Sequence, residues 1–285
     1  TTGTLLSPPP ILATGSHETS NARLWMFENT LTFDKTIANN HNVELMGGYS
    51  VQEYEVENSE FSGNQFPDDM VPWLSAAANI TGWSNTKSGW SLISMYSRLN
   101  YNYKRKYLLT ASIRRDGSSR FGSDNRWGDF PSVSAGWIIS EEDFMKNWPV
   151  VSFMKLRAEY GATGNFNIGD YSQFANISPS NYVFGNSLVS GRSPSSIGNR
   201  ELTWETTNGM DVGLDIAFFN NRVTFTFDYY KKNTANLLYQ ADIPSGTGFL
   251  NIQSNIGQFD FWGYEFALST KNFVGKLKWN TDLNI

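Results

Sequence analysis

The sequence predicts an all-β fold: the wall of an antiparallel, up-and-down transmembrane β-barrel, about ten strands long. Three observations predict it. Apolar and polar residues alternate with period two, as in Val223, Phe225, Phe227 and Tyr229 against Thr224, Thr226 and Asp228, so each strand has one apolar and one polar face. The connections alternate in length. Short ones fall near 38–42, 104–106, 219–222 and 272–275, with a medium one at 141–153; long ones fall at 56–90, 116–131, 166–202 and 240–255. Barrels that cross an outer membrane have short turns on one side and long loops on the other. Finally, aromatics reach 15% and charged residues only 17%, which suits strands with lipid on one face and rings near their ends.

Residues 1–21 read as loop, with Pro8, Pro9 and Pro10 in a row. A first strand covers residues 22–37, with Trp25, Phe27, Leu31 and Phe33 on one face. A second sets Val43, Leu45, Tyr49 and Val51 against Glu44, Ser50 and Gln52. Residues 56–90 carry Gly63, Pro67, Pro72, Gly82 and Gly89 and read as a long connection. A third strand follows, with Leu99, Tyr101 and Tyr103 against Arg98, Asn100 and Asn102. Fourth and fifth strands flank a Gly- and Ser-rich loop: Tyr107, Leu109, Ala111 and Ile113 before it, Val133, Ala135 and Trp137 after it.

Residues 141–153 read as one helical turn with Ser140 as N-cap and acidic residues in its first turn. The sixth strand opposes Leu156, Ala158 and Tyr160 to Lys155, Arg157 and Glu159. The seventh opposes Val212, Leu214 and Ile216 to Asp211, Gly213 and Asp215. The eighth runs from Val223 to Leu238 after a tight turn containing Asn220 and Asn221, suitable hairpin residues. The ninth carries Tyr264, Phe266 and Leu268; the tenth carries Leu277, Trp279, Leu283 and Ile285. With short turns on one side, both chain ends fall on the long-loop side, which predicts an internal piece of a larger barrel with its edge strands unpaired.

Composition excludes several functions. A net charge of −5 and a pI near 5.1 leave no basic face for nucleic acid. The absence of cysteine rules out a disulfide scaffold, thiolate metal sites and a cysteine nucleophile. No stretch of about 18 apolar residues offers a membrane helix. The N-terminal residues lack a signal-peptide pattern, so for an outer-membrane protein that signal lies upstream of Thr1.

No catalytic, cofactor or metal site is expected. Asp116, Asp124, Asn125 and Asp129 lie in one loop without calcium-loop spacing, and Arg114, Arg115, Arg120 and Arg126 are better partners for them. His17 and His41, in a loop and a turn, make no metal site without further ligands. Helix-start chemistry accounts for Glu141, Glu142 and Asp143 better than catalysis does. No Ser/His/Asp arrangement, phosphate loop or dinucleotide fingerprint occurs. The candidates for contact with a solute are Trp73, Trp83 and Trp90, expected in a loop where they either stack on sugar rings or anchor the loop. Arg157 and Glu159 join them on the polar face of the sixth strand, where an ion-pair ladder is the plainer reading.

Several motifs, in order, resemble one family. YLLTASIRRDGSSRFG, NRWGDFPSVSAGWIISEEDFM, MKLRAEYGATGN with IGDY, LTWETTNGMDVGLD and NNRVTFTFDYYKKNTANLLY are similar to segments of the SusC/RagA family of TonB-linked outer-membrane transporters of Bacteroidota. The resemblance implies that residues 1–285 are part of a barrel domain of about 22 strands, without the plug domain and the barrel ends. It implies location in the bacterial outer membrane, with membrane lipid around the wall. It implies uptake of a large nutrient, a glycan or oligosaccharide, driven by the TonB complex through a plug, with a SusD-like lipoprotein as partner. The alternatives are a secreted soluble β-sandwich that binds carbohydrate, and a glycoside hydrolase with carboxylates on its strands.

Overall fold

The computed structural model describes residues 13–67 and 73–285. It contains ten long strands: β1 (Thr14–Ile37), β2 (His41–Asn64), β3 (Asn79–Tyr103), β4 (Tyr107–Ser118), β5 (Trp127–Ile138), β6 (Val151–Asn165), β7 (Glu205–Phe218), β8 (Val223–Ala235), β9 (Gln258–Val274) and β10 (Lys278–Asn284). They hydrogen-bond in chain order, with β1 and β10 at the two ends of one sheet. The expected edges are therefore present: β1 and β10 are not neighbours. The chain divides into two compact units, one of residues 1–27 and 52–91, the other of 28–51 and 92–285.

In the larger unit, alternation sets the register. Leu156, Leu214, Phe227 and Phe266 lie side by side across β6, β7, β8 and β9, as do Ala158, Val212, Tyr229 and Tyr264. The row continues through Ala135 and Leu109 to Tyr101 on β3. Leu156, Tyr160, Val212, Tyr264, Phe266 and Leu268 are all exposed, so this apolar face is covered by no part of the described protein. A slip of one residue would turn every one of them to the other face. Arg157, Asp211, Asp215 and Asp228 come together on that opposite face.

Three of the short turns use left-handed backbone without glycine. Lys104 and Arg105 have φ of 52° and 57°, and Lys106 N–H bonds the Tyr103 carbonyl at 2.9 Å. Phe219, Asn220 and Asn221 have φ of 54–61°. Above the first of these turns the rings of His41, Tyr103, Tyr107 and Trp137 form a row, with successive centroids 4.6, 6.1 and 6.5 Å apart. Rings of this kind favour a membrane–water boundary. Beneath them lie two 3₁₀ turns, Ile139–Glu141 and Asp143–Asn147, neither with a side-chain cap. Ser140 therefore caps nothing. Glu142 instead accepts bonds from Tyr107 Oη (2.7 Å), Trp137 Nε1 (3.1 Å) and Lys106 Nζ (3.2 Å), and Asp143 pairs with Lys146.

The long-loop end has a core of its own. Phe121 and Leu202 are completely buried, and Ile168, Trp204 and Phe130 nearly so. Phe121, Phe130 and Phe166 surround Trp204 at 5.2–5.5 Å, and its Nε1 donates to the Arg126 carbonyl. Arg120 and Asp170 form a mostly buried ion pair at 2.8 Å. The expected loop 166–202 contains two small hairpins, Ile177–Pro179 with Arg192–Pro194 and Tyr182–Phe184 with Ser187–Val189. The expected loop 240–255 holds a third, Leu238–Asp242 with Asn251–Asn255, so the eighth strand stops at Ala235 rather than Leu238.

Several boundaries differ from expectation. β1 begins at Thr14, inside the expected loop 1–21, so His17 is on a strand; residues 1–12 lie outside the described residues. Residues 56–90 are mostly strand: β2 continues to Asn64 and β3 starts at Asn79. The glycines there disguise a ladder stabilised by polar contacts rather than by an apolar face. Lys87 bridges Glu55 and Glu57 at 2.8 and 3.1 Å, and Trp25 Nε1 donates to Glu53 at 2.8 Å. β4 and β5 likewise extend into the expected loop 116–131, leaving 119–126 as connection.

Candidate functional site

The polar face of β4 to β9 holds an open recess of about 1260 Å³, lined by Arg114, Phe130, Arg157, Glu159, Asp211 and Phe261 among others. Its centre is Arg157. The guanidinium meets Asp215 at 3.1 Å, Asp228 at 2.5 Å and Asp211 at 3.5 Å. Period-two spacing puts Asp211 and Asp215 on the same face of β7, and register brings Arg157 and Asp228 to either side of Gly213. Gly213 makes the cluster possible. A Cβ there would stand 2.3 Å from Asp228 Oδ1 and 2.5 Å from the Arg157 guanidinium carbon.

A second group lies across β3 and β4. Arg114 Nε holds both oxygens of Asp116 at 2.7 and 2.8 Å, its Nη2 donates to Ser94 Oγ at 2.8 Å, and the guanidinium stacks 5.6 Å from the Tyr96 ring. Tyr96 Oη donates to Glu28. Between the two groups Ser112 and Ser132 share a hydrogen bond of 2.7 Å. Toward the long loops the face becomes aromatic: Lys232 lies 5.5 Å above the Tyr230 ring, and Phe261 is 52% exposed.

The expected residues are redistributed. Arg157 and Glu159 do line one surface, but the ladder does not join them; three aspartates from neighbouring strands take the guanidinium. The sequence carries a signal for this, since Asp211, Asp215 and Asp228 recur on polar-face positions, but register was needed to bring them to one cation. Trp83 and Trp90 sit on β3, not in a loop. Trp83 is 76% exposed, whereas Trp90 stacks on Tyr54 at 5.9 Å. Trp73 lies in the connection, before a short 3₁₀ turn, and is 73% exposed. Of the four arginines expected to pair within their own loop, Arg114 and Arg115 do so, with Asp116 and Asp129, whereas Arg120 reaches Asp170.

Chemically, the recess is a wall. Its aspartates converge on guanidinium groups, and among the described residues no three His, Cys, Asp or Glu side chains are placed to hold a metal ion. His41 Nδ1 is 2.8 Å from the Tyr101 hydroxyl, within the ring row.

Comparison with known proteins agrees with this reading. Residues 2–285 match the family described as TonB dependent receptor-like, beta-barrel. The chain is 40% identical over 262 residues to TonB-dependent receptor P39 of Formosa agariphila, covering 90% of this chain and 25% of that protein. It is 41% identical over 202 residues to TonB-dependent receptor SusC of Bacteroides thetaiotaomicron, covering 68% of this chain and 20% of that protein. The chain thus spans about a quarter or less of these relatives. In structure it is similar to the RagAB peptide importer in its closed-closed state, with a TM-score of 0.88, 27% identity and coverage of 94% of this chain and 30% of that one. An apolar face bare of protein, a polar ion-paired face and a family match along nearly the whole chain lead to one conclusion: this chain belongs to the TonB-dependent receptor β-barrel family, of SusC/RagA type, in the bacterial outer membrane.

Proposed function

We propose that the protein carrying this wall imports a large nutrient across the outer membrane, a glycan or oligosaccharide, using energy from the TonB complex and a SusD-like lipoprotein as partner. The observation that carries the reading is the division of β4 to β9 into one bare apolar face and one ion-paired polar face. The first suits contact with lipid and the second a water-filled lumen. The chain itself acts as wall, plays no catalytic part, and leaves the plug and the remaining strands to other segments of the domain. Of the three tryptophans, Trp73 and Trp83 are exposed and free to stack on sugar rings. Arg157 is occupied by its three aspartates and stiffens the wall, which leaves Glu159 as the polar group of that pair available to solute.

Peptide import is the second reading, favoured by the likeness to the RagAB peptide importer. Uptake assays in the native host separate the two. A strain lacking the gene should lose uptake of labelled oligosaccharides, and wild-type uptake should stop when TonB is removed. Loss of peptide uptake alone would select the second reading. Uptake that persists without TonB would remove both.

A further inference from the structure

The ribbon above β8 and β9 is creased rather than bulged. β8 and β9 pair for the last time at Ala235 and Gln258, and the hairpin beyond them first pairs at Leu238 and Asn255. Two residues intervene on each side, so both ladders keep one register and Asn236 stands opposite Gly257. Both have left-handed backbone, with φ of 56° and 86°. A bulge adds a residue to one strand and bends that strand. Here neither strand gains a residue and both turn at the same level, so the ribbon folds across its whole width. Asparagine and glycine are the residues that tolerate this backbone. Across the crease, Ile256 N–H still bonds the Leu237 carbonyl at 2.9 Å.

Beyond the crease, polar groups hold the hairpin to residues 199–205. The Asn255 side chain pairs with the Thr203 backbone as a neighbouring strand would. Its Oδ1 accepts Thr203 N–H at 2.9 Å and its Nδ2 donates to the Thr203 carbonyl at 2.8 Å. Nδ2 also donates to the Asn236 carbonyl at 2.9 Å, which ties the latch to the crease. Asn199 Nδ2 donates to the Gln253 carbonyl at 2.9 Å, and Leu238 N–H donates to Glu205 at 3.0 Å. Glu205 is in step with Thr207 and Asp211 on β7, so the ribbon is folded toward the polar face. The two sides of the latch differ in kind. Leu202 and Trp204 are buried in the loop core, whereas no side chain of residues 236–257 is buried. Bonds between side-chain amides and backbone add modest net stability, because water offers the same partners. The hairpin is thus held by bonds that water can replace one at a time, on a base that cannot shift without opening a core.

We infer that hairpin 238–255 is a hinged flap, turning at the opposed pair Asn236 and Gly257 and latched toward the polar face by Asn255 and Asn199. Latched, it stands fixed against residues 199–205; released, it straightens into line with β8 and β9. Loops 119–126 and 166–204 stay where the Trp204 core holds them. Asn255 is the positioning residue, since it bonds both the base and the crease. The flap does not depend on which solute the wall admits.

The test uses the full-length transporter in native outer membranes, in a background without other cysteines. Spin labels at the exposed positions Ser245→Cys, on the hairpin, and Glu201→Cys, on its base, report their separation by pulsed electron resonance. The latched protein should give one narrow distance. Asn199→Ala with Asn255→Ala should add a longer distance whose share is at least ten times that in wild type. Asn236→Val with Gly257→Val keeps the latch residues but disfavours left-handed backbone, and should lengthen the distance too. Labels at Ser123→Cys and Glu201→Cys report the base alone and should keep one distance in every variant, which also shows that the loops have folded. A latch variant that keeps the wild-type hairpin distance would overturn the flap, and a crease variant that keeps it would overturn the hinge. A base distance that shifts together with the hairpin would overturn both, because the loops would then move as one body.

Discussion

At the short-turn end of the strands, few of the described residues are buried; a row of rings, His41, Tyr103, Tyr107 and Trp137, stands over a carboxylate, Glu142, that ties two of them, Tyr107 and Trp137, to Lys106. At the long-loop end, a compact core surrounds Trp204, and the groups that meet there are far apart in sequence: Trp204 bonds Arg126, Arg120 pairs with Asp170, and Asn255 bonds Thr203. The first end is organised by the solvent around it, water below and lipid beside. The second is organised by the protein itself, as a small globular domain is. One chain therefore obeys membrane rules and soluble rules within a few strand lengths, and perturbations should separate them.

The largest effect is expected at the long-loop end. Trp204→Ala removes a buried indole and its hydrogen bond, a change worth about 3–5 kcal/mol in a packed core. In the full-length protein, loops 119–126 and 166–204 should become sensitive to protease while the barrel keeps its heat-modifiable mobility. Equal protease resistance in the variant would mean that the loops are held from elsewhere. Between the two ends, Leu214→Arg puts a charge on the lipid face and should cost about 2–4 kcal/mol at mid-membrane depth. Urea titration in vesicles should show Asp215→Asn, on the opposite face, to be milder. The reverse order would contradict the assignment of faces.

Smaller effects belong to the short-turn end. Lys104→Asn together with Arg105→Gly relieves two left-handed residues and should stabilise by about 1 kcal/mol; a loss of stability in the same titration would argue against the turn geometry. The smallest effect is felt only in acid. Glu142 titrates below the usual carboxylate range because the Tyr107 hydroxyl, the Trp137 indole and Lys106 all donate to its charged form. Its contribution is thus present above the unfolded-state value and lost as the pH falls through the lowered one. Glu142→Gln should flatten that part of the pH–stability curve and leave neutral pH little changed. An unaltered acid limb would show that the carboxylate is not coupled to folding.

The sequence was most readable where membrane rules apply. Alternation alone separated Leu156, Val212 and Phe227 from Arg157, Asp211 and Asp228, because lipid demands it of every second residue. It was least readable where polar ladders or distant contacts decide. Residues 56–64 and 79–90 lack a uniform apolar face, so their glycines suggest loop, although Glu55, Glu57 and Lys87 stitch them into strands. The same blindness put Trp83 and Trp90 in a loop. At the candidate site, the residue types were visible but not their pairing. That Arg157 takes Asp228 rather than Glu159 follows from the register of three strands and from the missing side chain of Gly213. The core around Trp204 went unread because its members come from both sides of several turns, and no local pattern joins them.

The ring row has a mechanical consequence. Under the proposed TonB-driven import, the protein is pulled along the membrane normal, and its wall has to stay in place while an inner part moves. Rings that favour the boundary resist displacement in both directions, since lifting them puts polar tips into hydrocarbon and lowering them puts apolar bodies into water. Tyr107 and Trp137 are also tethered through Glu142 to the turn below, so a force on one ring is shared with its neighbours. On that proposal the row acts as a brake on sliding, set at the level where the pull would be felt.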